Sequence, residues 1–450
     1  MKAKFGSKIG LVAATVGSAV GLGNIWRFPA EAQANGGAAF LLLYIACVFL
    51  LGIPVMVSEF ALGRGGQSDA VGSFKNLGAS KPWWSVGALA VLASYMILCF
   101  YMVVAGWTFE YLWQSITGSL YDGIDSATSA PFAAKMNGFI ADGWNASINT
   151  YIVLALNIGI LLFGVRKGIE RLSNIMMPLL FILLLVFCGV ALTLDRASDG
   201  VEFFLNPDFS KITPRVALNA LGQAFFSLSL GMGILITYAS YYPPTTILTR
   251  TALTVSLLDM LVAILMGMII FPAVMTFNLT GEGLEGASLV FITLPEVFTH
   301  MPGTQLWSIL FFLLLMVAAL TSTISISEVS IAFLQDRFKL SRVKAVLTAM
   351  LPLILFSTIC AYSQSDSFSD IRIAGMTIFD TLDFLATNIC LPIGSIFLCI
   401  YVGWFAPKGF LYRELTNDGN VTSHVFNILL FIVRYVAPIL IGLILIGVFI

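Results

Sequence analysis

The sequence has few charged residues and almost no histidine. Asp, Glu, Lys and Arg make up 10% of the 450 residues, histidine occurs twice, and 58% of the residues are hydrophobic. A soluble domain carries about 25% charged residues, so this composition excludes a soluble globular protein and indicates a polytopic membrane protein. The formal net charge of −1 gives no indication of a nucleic-acid partner.

Motifs for nucleotide binding and metal binding are also absent. The sequence has no Walker loop, and the glycines at 21 and 23 follow no predicted strand, which excludes a dinucleotide-binding motif. The cysteines lie in apolar runs without metal-ligand spacing, and we expect no disulfide framework. They are Cys47, Cys99, Cys188, Cys360, Cys390 and Cys399.

Long apolar runs dominate the sequence. A membrane-spanning helix needs about 20 predominantly apolar residues, and this rule predicts an all-α protein with eleven spans. They lie near residues 10–34, 38–62, 84–114, 148–165, 172–194, 215–242, 249–277, 305–335, 341–362, 376–404 and 426–449.

Positive charges are distributed unevenly about these spans. With the N-terminus inside, 16 Lys and Arg residues lie on the cytoplasmic side, and the other side has only Lys135, Arg196, Lys211, Arg215 and Arg372. Because Lys and Arg concentrate in cytoplasmic loops, we expect a multi-pass protein of the cell inner (plasma) membrane with a cytoplasmic N-terminus. An odd number of spans then places the C-terminus outside.

The first span contains a stretch that is unfavourable for a regular helix. From Gly17 to Pro29 it includes several glycines, Asn24 and Arg27. Glycine costs roughly 1 kcal/mol relative to alanine inside a helix, and proline removes a backbone donor. We therefore predict a broken helix, which a membrane tolerates only where the freed backbone is buried in protein or lines a cavity. A helix-packing seam of small residues is the alternative interpretation.

The sixth span repeats this feature. Residues 223–233 interrupt an apolar run with hydroxyls and glycines. The two interrupted spans are five apart, so spans 1–5 and 6–10 would have opposite orientations, a pattern typical of a transporter site. We predict a single transporter domain over 1–450, with inverted repeats at 10–194 and 215–404 and a final span at 426–449.

Span 8 is rich in hydroxyl groups. Thr321 and Ser322 are candidate cation ligands, because hard cations prefer oxygen. Thr323, Ser325 and Ser327 are expected to bond to carbonyls of their own helix.

Charged residues inside spans usually face a cavity or a partner. Arg27 and Glu59 lie in the first two spans, and Asp259 lies deep in span 7. Glu59 is close to a span end, so contact with interfacial water and a buried structural role both stay open.

These segments together resemble the neurotransmitter:sodium symporter family, in its bacterial eleven-span form that transports hydrophobic amino acids. The resemblance extends from about residue 5 to the end. It implies the LeuT-type fold, an all-α membrane protein with a 5+5 inverted repeat whose helices 1 and 6 are broken. The motifs are residues 21–29, 35–37, 167–171, 225–229 and 320–322.

The resemblance implies two sodium sites made of oxygen ligands. The first would use the substrate carboxylate with Ala19, Asn24, Ser227 and Asp259. The second would use Gly17, Val20, Ala318, Thr321 and Ser322.

The resemblance also implies a pocket for an α-amino acid. Carbonyls near Ala19 suit the ammonium group, and the Gly23 N–H and Tyr101 hydroxyl suit the carboxylate. Monoamine-transporting relatives carry Asp where this sequence has Gly21, which favours an intact amino acid. The expected substrate-binding residues are Ser18, Ala19, Leu22, Gly23, Ile97, Tyr101, Phe226, Ser227, Ser229, Met232, Ser322 and Ile326.

The part of this pocket that would receive the substrate side chain has no charge, which predicts an apolar or aromatic substrate. Met232 stands where a leucine-preferring relative has Phe. Because methionine adapts its shape, we expect room for Trp, Phe or Tyr as well as branched side chains.

Two residues of span 7 indicate whether transport would depend on chloride. Asp259 replaces the Asn usual in the best-known members, and Ala263 stands where chloride-dependent relatives carry Ser. We therefore expect chloride-independent transport in which Asp259 supplies the negative charge. Tyr44, Gln223 and Ser227 match the other chloride-site positions, so chloride use stays open.

The family also implies gates. On the outside, Arg27 would pair with Asp383, with Asp380 as the rival acid. On the inside, Asp336 matches the gate acid, and Lys2 and Phe5 replace an Arg and a Trp. Lysine cannot form the bidentate contact of arginine.

A glycine and a proline in span 5 match a further family feature. Gly168 and Pro178 correspond to a pair whose unwinding could hydrate the second sodium site. An ordinary helix start followed by a kink explains them equally well.

We therefore predict a sodium-coupled symporter of hydrophobic or aromatic L-amino acids that works by alternating access and is not an enzyme. The nearer alternative is a proton-coupled or exchange-type transporter of the same fold, favoured if Asp259 titrates. An amino-acid-gated channel or a membrane enzyme is the alternative from a different class. The sequence offers neither a continuous polar stripe nor an activated nucleophile for it.

Overall fold

The computed structural model describes residues 4–78, 82–124, 129–277, 289–368, 370–421 and 425–447. Over these ranges the chain is helical, and the only strand-like pairing is an isolated bridge between Ile373 and Met376. The predicted all-α class is therefore confirmed.

The helices are numbered here in chain order. They are α1 (Lys8–Ala19), α2 (Gly23–Ala34), α3 (Ala38–Gly66), α4 (Ala70–Asn76), α5 (Trp84–Thr117), α6 (Ser129–Ala141), α7 (Gly143–Leu162), α8 (Val165–Ala191), α9 (Ala197–Leu205), α10 (Pro214–Ser227), α11 (Ile234–Ala239), α12 (Leu248–Thr276), α13 (Leu289–Thr299), α14 (Thr304–Phe338), α15 (Arg342–Tyr362), α16 (Ile378–Phe405), α17 (Phe410–Thr416) and α18 (Phe426–Gly447).

The predicted spans correspond to continuous and to broken helices. Among the described residues, nine helices are long and apolar enough to cross a membrane, and α1 with α2 makes a tenth if the bent pair is one span. The sixth predicted span is divided between α10 and α11, each too short to cross alone. The chain is thus a multi-pass membrane protein with the two predicted breaks.

The two breaks have different backbone causes. Between α1 and α2, which are bent by 54°, Val20 is extended with ψ at 112°. Between α10 and α11, Ser229, Gly231 and Gly233 have φ values of 54°, 79° and 72°. Left-handed backbone is unfavourable for residues with a Cβ, so the glycines permit this break and Ser229 is strained.

Both breaks lie against the most deeply buried helix. Most of α14 is buried (83% of its most apolar segment), whereas α18 is peripheral (22%). α14 packs along α5, α1 packs against α8, α12 and α14, and α11 packs against α3. The centre of the molecule is therefore surrounded by the breaks, α5 and α14.

Arg64, near the end of α3, joins three segments of the chain. Its side chain is 6% exposed and its Nε donates to Glu414 Oε2 at 2.7 Å. Nη1 donates to the Thr246 carbonyl at 2.5 Å and to Asn417 Oδ1 at 3.0 Å. These bonds attach the α11–α12 linker and α17 to the end of α3.

We predict that Arg64→Ala destabilises the protein. Removing one partner of a buried ion pair costs about 3–5 kcal/mol, and the partial exposure of Glu414 (20%) places the loss at the low end. Thermal unfolding of the purified protein in detergent measures it. The control is Arg413→Ala, which removes an exposed arginine one residue before Glu414. Equal unfolding temperatures for both variants would contradict the role given to Arg64.

Candidate functional site

A cavity lies where the two broken helices face α5 and α14. None of the described residues that line it is charged. The lining residues are Ser18, Ala19, Gly21, Gly23, Ile97, Tyr101, Phe226, Ser227, Ser229, Met232, Ser322 and Ile326.

The structure brings together the predicted substrate-binding residues, with one exception. Every one of them lines the cavity except Leu22. The Leu22 side chain is buried in the surrounding core, and its N–H donates to the Tyr101 hydroxyl at 3.1 Å. Gly21 lines the cavity as well, and a Cβ there would lie 2.5 Å from Ser322 Oγ. A side chain at position 21 would therefore require the Ser322 side chain to move.

A buried polar cluster of Asn24, Ser227 and Asp259 lies beside the cavity. Asn24 Nδ2 donates to Ser227 Oγ at 2.9 Å, to Asp259 Oδ1 at 2.8 Å and to the Asp259 carbonyl at 3.2 Å. Three oxygen atoms from α10 and α12 thus converge on one point, as the ligands of a cation do. Ala19, the fourth residue of this predicted set, lines the adjacent cavity.

Asp259 is a fully buried carboxylate without a basic partner. Its Oδ2 accepts bonds from Ser227 Oγ at 2.5 Å and from the Tyr44 hydroxyl at 3.3 Å. No Lys or Arg of the described chain forms an ion pair with it. Burying an unpaired carboxylate is costly, so this position favours a bound cation or a proton.

The three positions that match a chloride site are also adjacent. The hydroxyls of Tyr44 and Ser227 are directed at Asp259, as described above. Gln223 Nε2 donates to the Gly23 carbonyl at 3.0 Å, and its buried Oε1 has no partner among the described residues. Two of the three donors are therefore bonded to the Asp259 carboxylate, and the third is bonded to the Gly23 carbonyl.

The second predicted set lies between α1 and α14. Ser322 Oγ donates to the Val20 carbonyl at 3.3 Å, and Thr321 Oγ1 donates to the Ala318 carbonyl at 3.0 Å. A Cβ at Gly17 would lie 3.4 Å from Thr321 Cβ. Both α1 and α14 therefore contribute oxygen atoms next to the break between α1 and α2.

The remaining hydroxyls of α14 behave as predicted. Thr323, Ser325 and Ser327 each donate to a carbonyl three or four residues earlier. Thr321 does so too, to the Val317 and Ala318 carbonyls, so its lone pairs remain for another partner.

Glu59 supports the second break. It is fully buried, and its Oε1 accepts a 2.7 Å bond from the Gly231 N–H. The structure therefore supports a buried structural role for Glu59 and not contact with interfacial water. The sequence showed that a carboxylate lies inside a span. It did not indicate that the partner of this carboxylate is the Gly231 N–H on another span.

Toward the side predicted to be outside, Phe226 separates the cavity from a second one, which Arg27 lines. The Arg27 guanidinium lies 4.5 Å from the centroid of the Phe226 ring. Within the described ranges Arg27 forms no ion pair with Asp383. Asp380 accepts a bond from Thr377 of its own helix start. Among the described residues, Arg27 is therefore paired with neither of the two predicted acids.

On the side predicted to be inside, the Asp336 carboxylate accepts a 2.7 Å bond from the Asp69 N–H and a 3.1 Å bond from Ser68 Oγ. Phe5 is buried among the rings of Tyr238, Tyr241 and Tyr242. The predicted partner Lys2 lies outside the described residues.

The glycine and the proline whose unwinding could hydrate the second predicted sodium site both lie in α8. Gly168 lies in a π-helical turn, Val165–Glu170, and Pro178 lies inside the helix. A Cβ at Gly17 would lie 3.5 Å from the Met177 side chain. The proline is therefore adjacent to a residue that approaches the second ligand set.

We predict that Tyr101→Phe weakens ligand binding at this cavity. The change leaves the buried Leu22 N–H without an acceptor, which costs about 1–3 kcal/mol, and removes a donor from the lining. Calorimetry or a binding assay on the purified protein should show affinity for an amino acid reduced about tenfold. Tyr95→Phe, which removes a hydroxyl bonded to Ala349 away from the cavity, should bind normally. Equal affinities for the two variants would refute a role of Tyr101 in the site.

Comparison with known proteins agrees with this geometry. The model of the sodium:neurotransmitter symporter family matches residues 2–125 and 133–450. The uncharacterized sodium-dependent transporter YhdH of Bacillus subtilis is 36% identical over 435 residues, covering 97% of this chain and 95% of the relative. An uncharacterized sodium-dependent transporter of Haemophilus influenzae is 34% identical over 445 residues, covering 97% and 95%.

A solved structure is similar over the full length. The crystal structure of MhsT in complex with L-phenylalanine has a TM-score of 0.89 and 39% identity, covering 99% of both chains. With its broken helices, buried polar clusters and uncharged cavity, this chain belongs to the sodium:neurotransmitter symporter family, and it is a membrane transporter rather than an enzyme.

Proposed function

We propose that the protein is a sodium-coupled symporter of hydrophobic and aromatic L-amino acids that works by alternating access. One observation carries the proposal: the uncharged cavity is adjacent to the cluster of Asn24, Ser227 and Asp259, where oxygen atoms converge. A substrate carboxylate bound in the cavity could therefore complete the shell of a cation. Binding of each would then favour binding of the other.

The cavity suits an amino acid with an apolar side chain. Its polar groups lie around the breaks, where the Gly23 N–H and Tyr101 hydroxyl suit a carboxylate and nearby carbonyls suit an ammonium group. The Ile97, Met232 and Ile326 side chains offer an apolar remainder. The complex of MhsT with L-phenylalanine supports an aromatic substrate.

The two ligand sets suit two sodium ions carried with the substrate. In the first, Asn24 would turn its amide so that the oxygen joins those of Ser227 and Asp259. In the second, the Thr321 and Ser322 hydroxyls would join the Gly17, Val20 and Ala318 carbonyls. All of these ligands are oxygen atoms, as a hard cation prefers.

We infer chloride-independent transport from Asp259. Its buried carboxylate accepts bonds from the Tyr44 and Ser227 hydroxyls, which would otherwise be available to an anion. A fixed negative charge near the first cation would replace the one that chloride supplies.

The architecture fits the movement that alternating access needs. We infer that spans 1–5 and 6–10 are inverted repeats in the cell inner membrane, with the N-terminus in the cytoplasm. The outer path would close over Phe226 with Arg27 and Asp383, and the inner path would close around Asp336. Lys2 is proposed as its partner on the grounds of the sequence alone.

A proton-coupled transporter of the same fold is the second candidate, and Asp259 is the observation that favours it. The buried carboxylate has no basic partner among the described residues, so a proton could satisfy it in place of a cation.

Uptake of labelled L-phenylalanine into proteoliposomes separates these candidates. An inward sodium gradient should drive accumulation, and replacing chloride with gluconate should leave it unchanged. Asp259→Asn should raise the sodium concentration for half-maximal uptake about tenfold, since it removes a charge next to the cation. Accumulation driven by a proton gradient without sodium would favour the second candidate, and a loss in gluconate would refute chloride independence.

We predict that Met232→Phe shifts preference toward smaller substrates. The rigid ring would fill part of the cavity that flexible methionine leaves to the substrate. In competition assays, tryptophan should lose about tenfold in potency relative to leucine, an energy typical of a steric change in an apolar pocket. Met232→Leu keeps a similar volume and serves as the control. An unchanged competition profile in Met232→Phe would contradict the placement of the substrate side chain.

A further inference from the structure

A carboxyl group and a hydroxyl group at the break between α10 and α11 each have a buried oxygen atom without a partner. Glu59 Oε1 accepts the bond from the Gly231 N–H, but Glu59 Oε2 has no hydrogen-bond partner among the described residues. Ser395 Oγ, on α16, has none there either. Both side chains are 0% exposed, so solvent at the surface does not reach these two atoms.

Gly231 lies between the helices that carry these two groups. A Cβ at this glycine would lie 2.6 Å from Ser395 Oγ and 2.8 Å from the Leu391 carbonyl oxygen. Because the Gly231 N–H is bonded to Glu59, the side chains of Glu59 from α3 and Ser395 from α16 approach the same residue of the break. The break is therefore enclosed by α3 and α16 at this residue.

No cationic side chain balances Glu59. Among the described residues, no Lys, Arg or His forms an ion pair with it. The titratable side chain beside it is Cys399 of α16, and a thiol carries no positive charge. Burying an isolated carboxylate costs far more than burying a neutral polar group, so this position requires a proton or a bound cation.

One proton would satisfy both unpartnered atoms. A protonated Glu59 Oε2 would donate to Ser395 Oγ, and the Ser395 hydroxyl would donate to the Leu391 carbonyl four residues earlier, as serine does in helices. A metal cation would need about six oxygen ligands. The described side chains at this point supply three, two from Glu59 and one from Ser395.

We propose that Glu59 carries a proton at neutral pH and, as a carboxylic acid, joins the Gly231 backbone to Ser395 of α16. This proton site is separate from Asp259, and it goes beyond the proposed function because it does not depend on which ion drives transport. Glu59 is a positioning residue: it does not line the cavity. It acts through Gly231, which precedes the cavity residue Met232.

Infrared spectroscopy of the purified full-length protein in detergent tests for the proton directly. The carbonyl band of a protonated carboxylic acid should be present in the wild type and should lose the contribution of one group in Glu59→Gln. Glu202→Gln, which removes an exposed carboxyl group, should leave the band unchanged. Ser395→Ala should move the band to higher wavenumber, because the acid loses the acceptor of its hydrogen bond.

Thermal unfolding at a series of pH values gives an independent result. A native state that binds an additional proton becomes less stable as the pH rises, so between about pH 6 and about pH 9 the unfolding temperature should fall about 2–4 °C more in the wild type than in Glu59→Gln. Glutamine is neutral throughout and still accepts from Gly231. A proton on Asp259 would contribute to both proteins and cancels in the difference. Glu202→Gln should follow the wild type.

A truncating variant separates the proton from packing alone. Glu59→Ala leaves the buried Gly231 N–H without its acceptor and should lower the unfolding temperature at every pH, whereas Glu59→Gln should match or exceed the wild type at the alkaline end. The proposal is overturned if Glu59→Gln fails to fold, if its infrared band equals that of the wild type, or if both proteins have the same pH dependence. Each of these results would indicate an ionised Glu59 held by a bound cation or by water.

Discussion

Two helices are broken inside the membrane, and the backbone groups freed by these breaks need partners that lipid cannot supply. Each unpaired N–H or carbonyl in hydrocarbon costs several kcal/mol. Side chains of α3 and α5 supply some of these partners. Glu59 accepts a hydrogen bond from the Gly231 N–H, and the Tyr101 hydroxyl accepts one from the Leu22 N–H. The two breaks also pair with each other, because Ser229 Oγ donates to the Ser18 carbonyl at 2.9 Å. The cavity is the space that remains between them.

The same constraint explains why polar groups gather beside an uncharged cavity. Asp259 is buried among hydroxyl and amide donors, and no basic side chain of the described chain pairs with it. A site with an unbalanced carboxylate and converging oxygen atoms is well suited to a cation, and a zwitterionic substrate adds a second carboxylate next to it. Coupling between ion and amino acid would then arise from shared ligands.

Local chemistry made much of this predictable from the sequence. Clustered glycines and Pro29 predicted the break in span 1, and hydroxyls with glycines predicted the break in span 6, because both disfavour a regular helix. Contacts between distant segments could not be predicted in this way. The Glu59–Gly231 bond and the Arg64 contacts join residues far apart in sequence, and no local pattern specifies such pairs. The family resemblance supplied Asp259 as a predicted ligand, whereas the direction of the Leu22 side chain could be seen only in the structure.

The most direct measurement of the central claim is reciprocal linkage between sodium and the amino acid on the purified protein. Affinity for L-phenylalanine is measured at a series of sodium concentrations, and affinity for sodium is measured at a series of L-phenylalanine concentrations. If the two share ligands, each should raise the affinity for the other by the same factor, about 5–150-fold for a typical coupling free energy. Affinities that do not depend on the other ligand would contradict a shared site between the two broken helices.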